Sequence, residues 1–487
     1  MFCRFNSDRL LPPAWVAEEH RAGPELVGSS PFAGKDTETA MTDQRHTRRP
    51  DPEQRADGSR TRSRWWSVGL AGMTGLALTT VAVAPAANAA GRTPTAADGQ
   101  PSTGSHRDDD RSPSDKGKKE KKSKGTPVPC DADLLTAAIT LANARGGAVL
   151  DLAEDCTYTL TDSLPTIVVP LVLNGGKKTT ITRAAAVGNF RILNVGTGGD
   201  LGLNHLTITG GQTAGDGAGV FVEPGGQLTV RHSTITGNIA GDEGGGIANN
   251  GTTRIEHSTI DRNTGDIGAG VANTGLLTIT KSQVSQNTAI EEGGGVASTG
   301  GTVEVWKSAV KANQSALYGG LALADTIGTI TDTHITQNNA EEGGGIRAFG
   351  GQLTLRSVGL GQNAATNGRA GGLLVDPGTA AVVADSTITG NTATGDGGGI
   401  VNTATLVARH TKVIGNQSGD QGGGIYNTDG ATLTLFTAKV VKNIAVTDGG
   451  GIFNELGGTV ELNTATGTVV IKNRPNNCSG DVPGCVG

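Results

Sequence analysis

An all-β fold, a single-stranded parallel β-helix of about twelve coils, is what the sequence predicts, and three observations predict it. The first is a ladder of aliphatic residues, each following glycine: Val220, Ile247, Val271, Val296, Leu321, Ile346, Leu373, Ile400, Ile425 and Ile452, in steps of 24 to 27 residues. The second is a ladder of asparagines in phase with it: Asn238, Asn263, Asn287, Asn313, Asn338, Asn363, Asn391, Asn416, Asn443 and Asn473. Three residues before each asparagine stands an aliphatic, from Ile235 to Val470. The third is composition: 77 Gly and only 3% aromatic residues in 487 suit a chain that turns often and packs small aliphatics.

Each period carries three short strand signals. In the copy around Ile247 they are 246–249, 253–256 and 258–261. A period near 25 residues is too short for strand–helix crossovers. It suits coils whose strands pair in parallel with their equivalents one period on, about 4.8 Å apart, giving a rod of about 55–60 Å. Side-chain alternation directs Ile247, Ile255 and Ile260 inward. Asparagine tolerates left-handed turns and can stack as a hydrogen-bonded ladder. A partial second ladder is expected from Asn249, Asn273, Asn402, Asn427 and Asn454. Residues repeated in this way are architecture rather than catalytic machinery.

The chain ahead of the repeats divides by composition. Residues 1–64 are polar, rich in Arg and Pro, and lack an apolar period; Met41 offers an alternative start. Residues 65–89 read as a secretory signal: arginines, an apolar stretch, then Ala87-Asn88-Ala89 at a cleavage-site spacing. Cleavage would leave no membrane contact, whereas an uncleaved stretch of about 20 residues would just span a bilayer. Residues 90–127, with KGKKEKKSKG at 116–125, have the composition of a disordered charged linker, its lysines suited to an anionic cell wall.

The β-helix is expected over 128–476. It opens with a capping helix after Asp131 or Asp133 whose Leu134, Leu135, Ala138, Ile139 and Ala142 share one face and which ends at Gly146-Gly147. Such a helix covers the apolar end of the stack. Cys130 and Cys156 flank this cap, and Cys478 and Cys485 lie in the tail 477–487. Four cysteines allow three pairings. The long gap between the two pairs favours Cys130–Cys156 and Cys478–Cys485, and an exported chain can keep both bridges.

The GGGI and I-x-x-N pair resembles the GGAI and FxxN signatures of chlamydial polymorphic outer-membrane protein repeats. The segment CDADLLTAAITLANARGGAVLDLAEDCTYTL is similar to the N-terminal cap of secreted bacterial proteins of the pectin-lyase-like superfamily. The resemblance covers about residues 128–476 and implies a right-handed β-helix. It does not choose an activity, since that superfamily holds lyases, hydrolases and adhesins.

Two surface columns could carry chemistry. Four residues before the leading aliphatic stand Asp216, Glu243, Glu292, Glu342, Asp396 and Asp448, interrupted by Ile267, Leu317, Arg369 and Gln421. Carboxylates stacked at coil spacing repel, and a bound Ca²⁺ would relieve that; a solvated turn is the plainer reading. A lyase or hydrolase would draw its acid and base from Asp216 and Glu243, or from Glu342 with Arg347. At the turn before the third strand stand His232, His257, Lys281 and Lys307, with Arg231 and Trp306 beside them, a cationic column suited to an anionic glycan. The histidines lack partners at zinc-ligand spacing, and no nucleophile elbow or phosphate loop occurs.

Charge narrows the classes further. Residues 1–127 hold 20 Lys and Arg against 16 Asp and Glu, and residues 128–487 hold 20 against 30. An acidic repeat region does not suit nucleic acid. The sequence thus points to a secreted, monomeric, non-catalytic solenoid whose long surface serves adhesion or polysaccharide binding. The alternative is a lyase or hydrolase acting on a cell-wall or plant glycan.

Overall fold

A computed structural model describes residues 125–486. The extension, the signal segment and nearly all of the expected linker lie outside the described residues. Among the described residues, no helix is long and apolar enough to cross a membrane.

The fold is an all-β parallel solenoid. Three long sheets run the length of the stack. Sheet 1 has fourteen strands, from Thr126–Val128 to Thr459–Asn463; sheet 2 has twelve, from Leu193–Val195 to Cys478–Ser479; sheet 3 has thirteen, from Thr157–Leu160 to Val469–Ile471. Every pairing between named strands is parallel and joins a strand to its equivalent one coil away, as in Val220↔Ile247↔Val271 of sheet 2. Fourteen strands in sheet 1 exceed the expected twelve coils, and at about 4.8 Å per step the stack is about 62 Å long. The extra turns are N-terminal, where Leu150, Leu173 and Leu203 stand in register on successive strands without the GGGI and I-x-x-N markers.

Alternation builds the core as the pattern predicts. Ile247, Ile255 and Ile260 are fully buried, and one aliphatic cluster runs from Val128 to Val482. A fourth strand, unforeseen, follows eight of the ten ladder asparagines, for example Ile239–Ala240 and Thr264–Ile267, but not Asn313 or Asn473. These lie in two further sheets of four and five strands. Their buried positions take small residues such as Ala240, Gly265, Ala289 and Ala340, which is all the space beside the ladder admits.

Both asparagine ladders form. Each main-ladder side chain donates to the next Oδ1, as Asn338 does to Asn363 at 3.0 Å, and to a carbonyl of the preceding coil, here Val310 at 3.0 Å. The second ladder runs Asn249→Asn273→Ser298 and, further on, Asn402→Asn427→Asn454. These bonds satisfy amides that are out of reach of water. Glycine is required where coils touch: a Cβ on Gly399 would lie 2.5 Å from the Gly424 carbonyl oxygen and 3.0 Å from Asn416 Nδ2.

The two ends are closed differently. Helix α1 (Ala132–Arg145) is capped by Asp131, whose Oδ1 accepts from Asp133 and Leu134 N–H at 2.9 and 3.0 Å, and it ends at Gly146 with φ +80°. Leu135, Ile139 and Ala142 are buried, but Leu134 is 47% exposed, contrary to its expected place on the apolar face. Positions i, i+4 and i+7 set that face, and Leu134 lies about 100° away from Leu135. The first strand starts at Thr126, just inside the segment expected to be linker, and pairs with Ala148–Leu152. At the other end Cys478–Ser479 adds a strand to sheet 2, and Val482 tucks into the core, so the tail is partly built into the stack. Disulfides Cys130–Cys156 and Cys478–Cys485 tie down both ends.

Candidate functional site

The acidic column sits on the turn that precedes sheet 2. Residues just after the leading aliphatics should face outward, yet Ala248, Ala272, Ala297, Ala322, Leu374 and Val401 are at most 5% exposed. The preceding turn folds back over them; a Cβ on Gly397 (φ +66°) would collide with Val401 Cγ2. Eight coils place a left-handed glycine at this point, and the column residue directly before it is thereby held half-buried.

Several of the carboxylates brace backbone. Asp216 Oδ1 accepts from Glu243 N–H at 3.2 Å, and Asp396 Oδ1 from Gln421 N–H at 3.1 Å. Asp448 accepts from Asn476, Ser479 and Gly449, and these hydrogen bonds hold its carboxyl below the usual range. Glu243 is pushed up, first by burial and then by Asp216, Asp242 and Glu292. Glu292 is pushed up by burial, with Arg347 opposing and Glu291 adding. Asp396 is raised by burial against its Gln421 hydrogen bond. The register stacks Asp216 directly beneath Glu243, and Ile267 and Leu317 then separate Glu243, Glu292 and Glu342. Among the described residues, no three His, Cys, Asp or Glu side chains converge as a metal cage requires.

Glu342 and Arg347 do not pair with each other. Arg347 Nε binds Asp376 Oδ2 at 2.7 Å, and Arg369 Nε binds Glu342 Oε1 at 2.7 Å. Arg369 also approaches Asp376 at 3.7 Å, which closes a four-residue network across two coils. The Arg347 guanidinium lies 4.4 Å from the Tyr318 ring centroid and 5.1 Å from that of Phe349. Tyr318 takes φ +61° where the eight coils have glycine, and Ala370 does the same at φ +64°. Tyr318, Arg369 and Asp376 were not among the expected site residues. The signal available in the sequence was the loss of glycine three residues before Leu321 and Leu373. Further along, Tyr426 stacks on Phe453 at 5.3 Å and hydrogen-bonds Glu455; burial and that bond raise its hydroxyl well above the usual range.

The cationic column lies on the opposite side of sheet 1, at its turn into sheet 3. His232 and His257 stack with ring centroids 5.0 Å apart, and His205, one coil earlier, extends the stack at 4.8 Å. Lys281 and Lys307 continue it, their ammonium groups 5.8 and 4.4 Å from the Trp306 ring. Trp306 is 40% exposed, and its Nε1 donates to Asp332 at 3.3 Å. Arg231 is engaged by Glu256 at 2.9 Å.

Fold and surface together define a repeat solenoid carrying one acidic and one basic column, with short regular turns between them. Residues 385–403, part of one period of the repeat, match the family model for the Chlamydia polymorphic membrane protein repeat. No curated protein and no solved structure matches the chain.

Proposed function

We propose that this protein is a surface-exposed, non-catalytic solenoid whose long flank serves adhesion and binds polysaccharide. The observation that carries this reading is the unbroken register. Along sheet 2, successive coils from Leu193 to Cys478 differ by 24 to 27 residues. No inserted loop therefore walls a cleft on that flank, and ligand sites of enzymes are concave. The polymorphic membrane protein repeat at 385–403 supports a bacterial surface location. The signal-like segment 65–89 supports export.

A second reading, glycan cleavage, is favoured by one observation: burial holds Glu243 protonated to higher pH beside Asp216, an acid-and-carboxylate pairing of the kind glycosidases use. Incubating the full chain with acidic and neutral polysaccharides separates the two. Retention without new reducing or unsaturated ends is the expected result. Product release that disappears in Glu243→Gln would overturn the non-catalytic reading.

A further inference from the structure

The turn between sheets 1 and 3 carries an unbroken run of exposed basic side chains. Lys178, His205, His232, His257, Lys281 and Lys307 occupy equivalent positions on six successive coils, with φ between +47° and +55°. Left-handed backbone favours glycine, with asparagine and aspartate next, and strains other residues. The same turn is left-handed and non-glycine in the other coils too, where it takes Asp155, Asp332, Ser357, Asp385, His410 and Thr437, so what marks these six coils is an unbroken run of basic side chains. All six side chains are exposed and form a single line about 24 Å long at coil spacing. At its centre three imidazoles stack face to face, 4.8 and 5.0 Å apart.

We propose that this ridge is a track for a linear acidic polysaccharide, a polyuronate, and that its three central imidazoles make capture strengthen on acidification. The proposal rests on the polysaccharide-binding reading above and names its ligand class and its control. Imidazole is the side chain that normally changes charge between pH 5 and 8. Uronate carboxyls stay ionised down to about pH 4. With its imidazoles charged, a ridge of three ammonium groups would become one of six cations facing an unchanged polyanion.

The surrounding charges do not cancel this gain. On the sheet 1 side stand Arg231, Arg254, Glu256 and Glu304, with Glu256 held by Arg231 at 2.9 Å and Arg254 at 3.7 Å. On the sheet 3 side Asp261 is paired with Arg262 at 2.9 Å. Asp155 and Asp332 occupy the positions that end the run, and Lys177 adjoins Lys178. Trp306, between Lys281 and Lys307, offers a sugar face a stacking surface. One aromatic and a ridge one residue wide suit a glycan better than the multiple stacking platforms of single-stranded nucleic acid tracks.

The test uses the full chain and measures its affinity for polygalacturonate at about pH 5 and about pH 8, with fully methyl-esterified polygalacturonate and single-stranded DNA beside it. Binding to polygalacturonate should tighten about tenfold or more at the lower pH, weaken with salt, and vanish on esterification. Asparagine tolerates the left-handed backbone, so the triple variant His205→Asn, His232→Asn, His257→Asn should unfold like the wild type. It should match wild-type affinity at pH 8 and lose the gain at pH 5. The variant Lys178→Asn, Lys281→Asn, Lys307→Asn should weaken binding at both. A pH-independent affinity, or an acid gain that persists without the histidines, overturns the proposal. Tighter binding of DNA reassigns the ridge and also overturns it. Retention of the esterified polymer alone sinks the ridge while leaving the polysaccharide-binding reading intact; retention of no polysaccharide sinks both.

Discussion

Replacing Asn338 by alanine tests what holds the coils in register. Its Oδ1 accepts from Asn313 N–H at 3.1 Å and Asn313 Nδ2 at 2.9 Å, and its Nδ2 donates to Val310 O and Asn363 Oδ1, each at 3.0 Å. Asn338→Ala removes all four bonds and leaves the buried Asn313 N–H without its acceptor. At about 1 kcal/mol per bond, plus about 1–3 kcal/mol for the orphaned donor, the loss is about 5–7 kcal/mol. Asn250→Ala is the control: its Oδ1 accepts one bond from Thr274 at 2.8 Å near the surface, and the loss should stay within about 0.5 kcal/mol. Urea unfolding followed by far-UV circular dichroism measures both. Coils contact only their neighbours, so hydrogen exchange should show the opening centred on residues 313–363. Asn338→Asp separates hydrogen bonding from volume, because an ionised carboxylate there would face two acceptors and should be as harmful as alanine at neutral pH. A loss of under about 1 kcal/mol for Asn338→Ala would refute the claim that the ladder stabilises the stack.

The end staples should matter locally. Converting Cys130 and Cys156, 26 residues apart, to serine should cost about 3 kcal/mol and expose the first coils to protease before the rest; uniform digestion would contradict this. Gly399→Ala drives a methyl into the Gly424 carbonyl and should cost about 2 kcal/mol or more, read as a fall in unfolding midpoint. Glu243 has its folded-state pKa raised, so its ionisation penalty is absent below the ordinary carboxylate range and builds as pH rises through the raised value. Glu243→Gln should therefore be more stable than the wild type at pH 7, with the difference closing as pH falls. A difference of the opposite sign in thermal melts taken across that range would show that the charge is compensated by something else.

The fold was legible because a stack repeats its environment. Ile247 and Asn263 meet nearly the same neighbours as Val271 and Asn287, so one physical requirement is written many times at a fixed period. Legibility failed where the writing was not repeated or was too short. The first coils hold Leu150, Leu173 and Leu203 in register without the GGGI and I-x-x-N markers, which is why the coil count came out low. The fourth strands contain only two to five residues, and their small buried side chains resemble turn composition. His205 was missed because the basic column was read from His232 onward, although Lys178 and His205 stand on the two preceding coils.

The same logic says where function can reside. In a coil, a residue that recurs in every copy is answering the packing of its neighbours, and asparagines 0% exposed inside the stack have no ligand to meet. A departure answers to something else. Tyr318 holds a left-handed backbone in place of glycine, a conformation that costs of order 1 kcal/mol or more. Its ring lies over Gly343 and under the Arg347 guanidinium, which Asp376 anchors. That network braces the one stretch where the turn glycine is twice lost, so its strain is offset by local contacts. The histidines and lysines of the ridge hold the same backbone conformation, yet their side chains project into solvent. Only the three stacked rings, and the two ammonium groups beside Trp306, gain neighbours there. What separates the basic ridge from the acidic column is that its basic side chains project into solvent, stacked on one another or beside Trp306, whereas Asp216 and Asp396 of the acidic column accept from backbone N–H groups of the next coil.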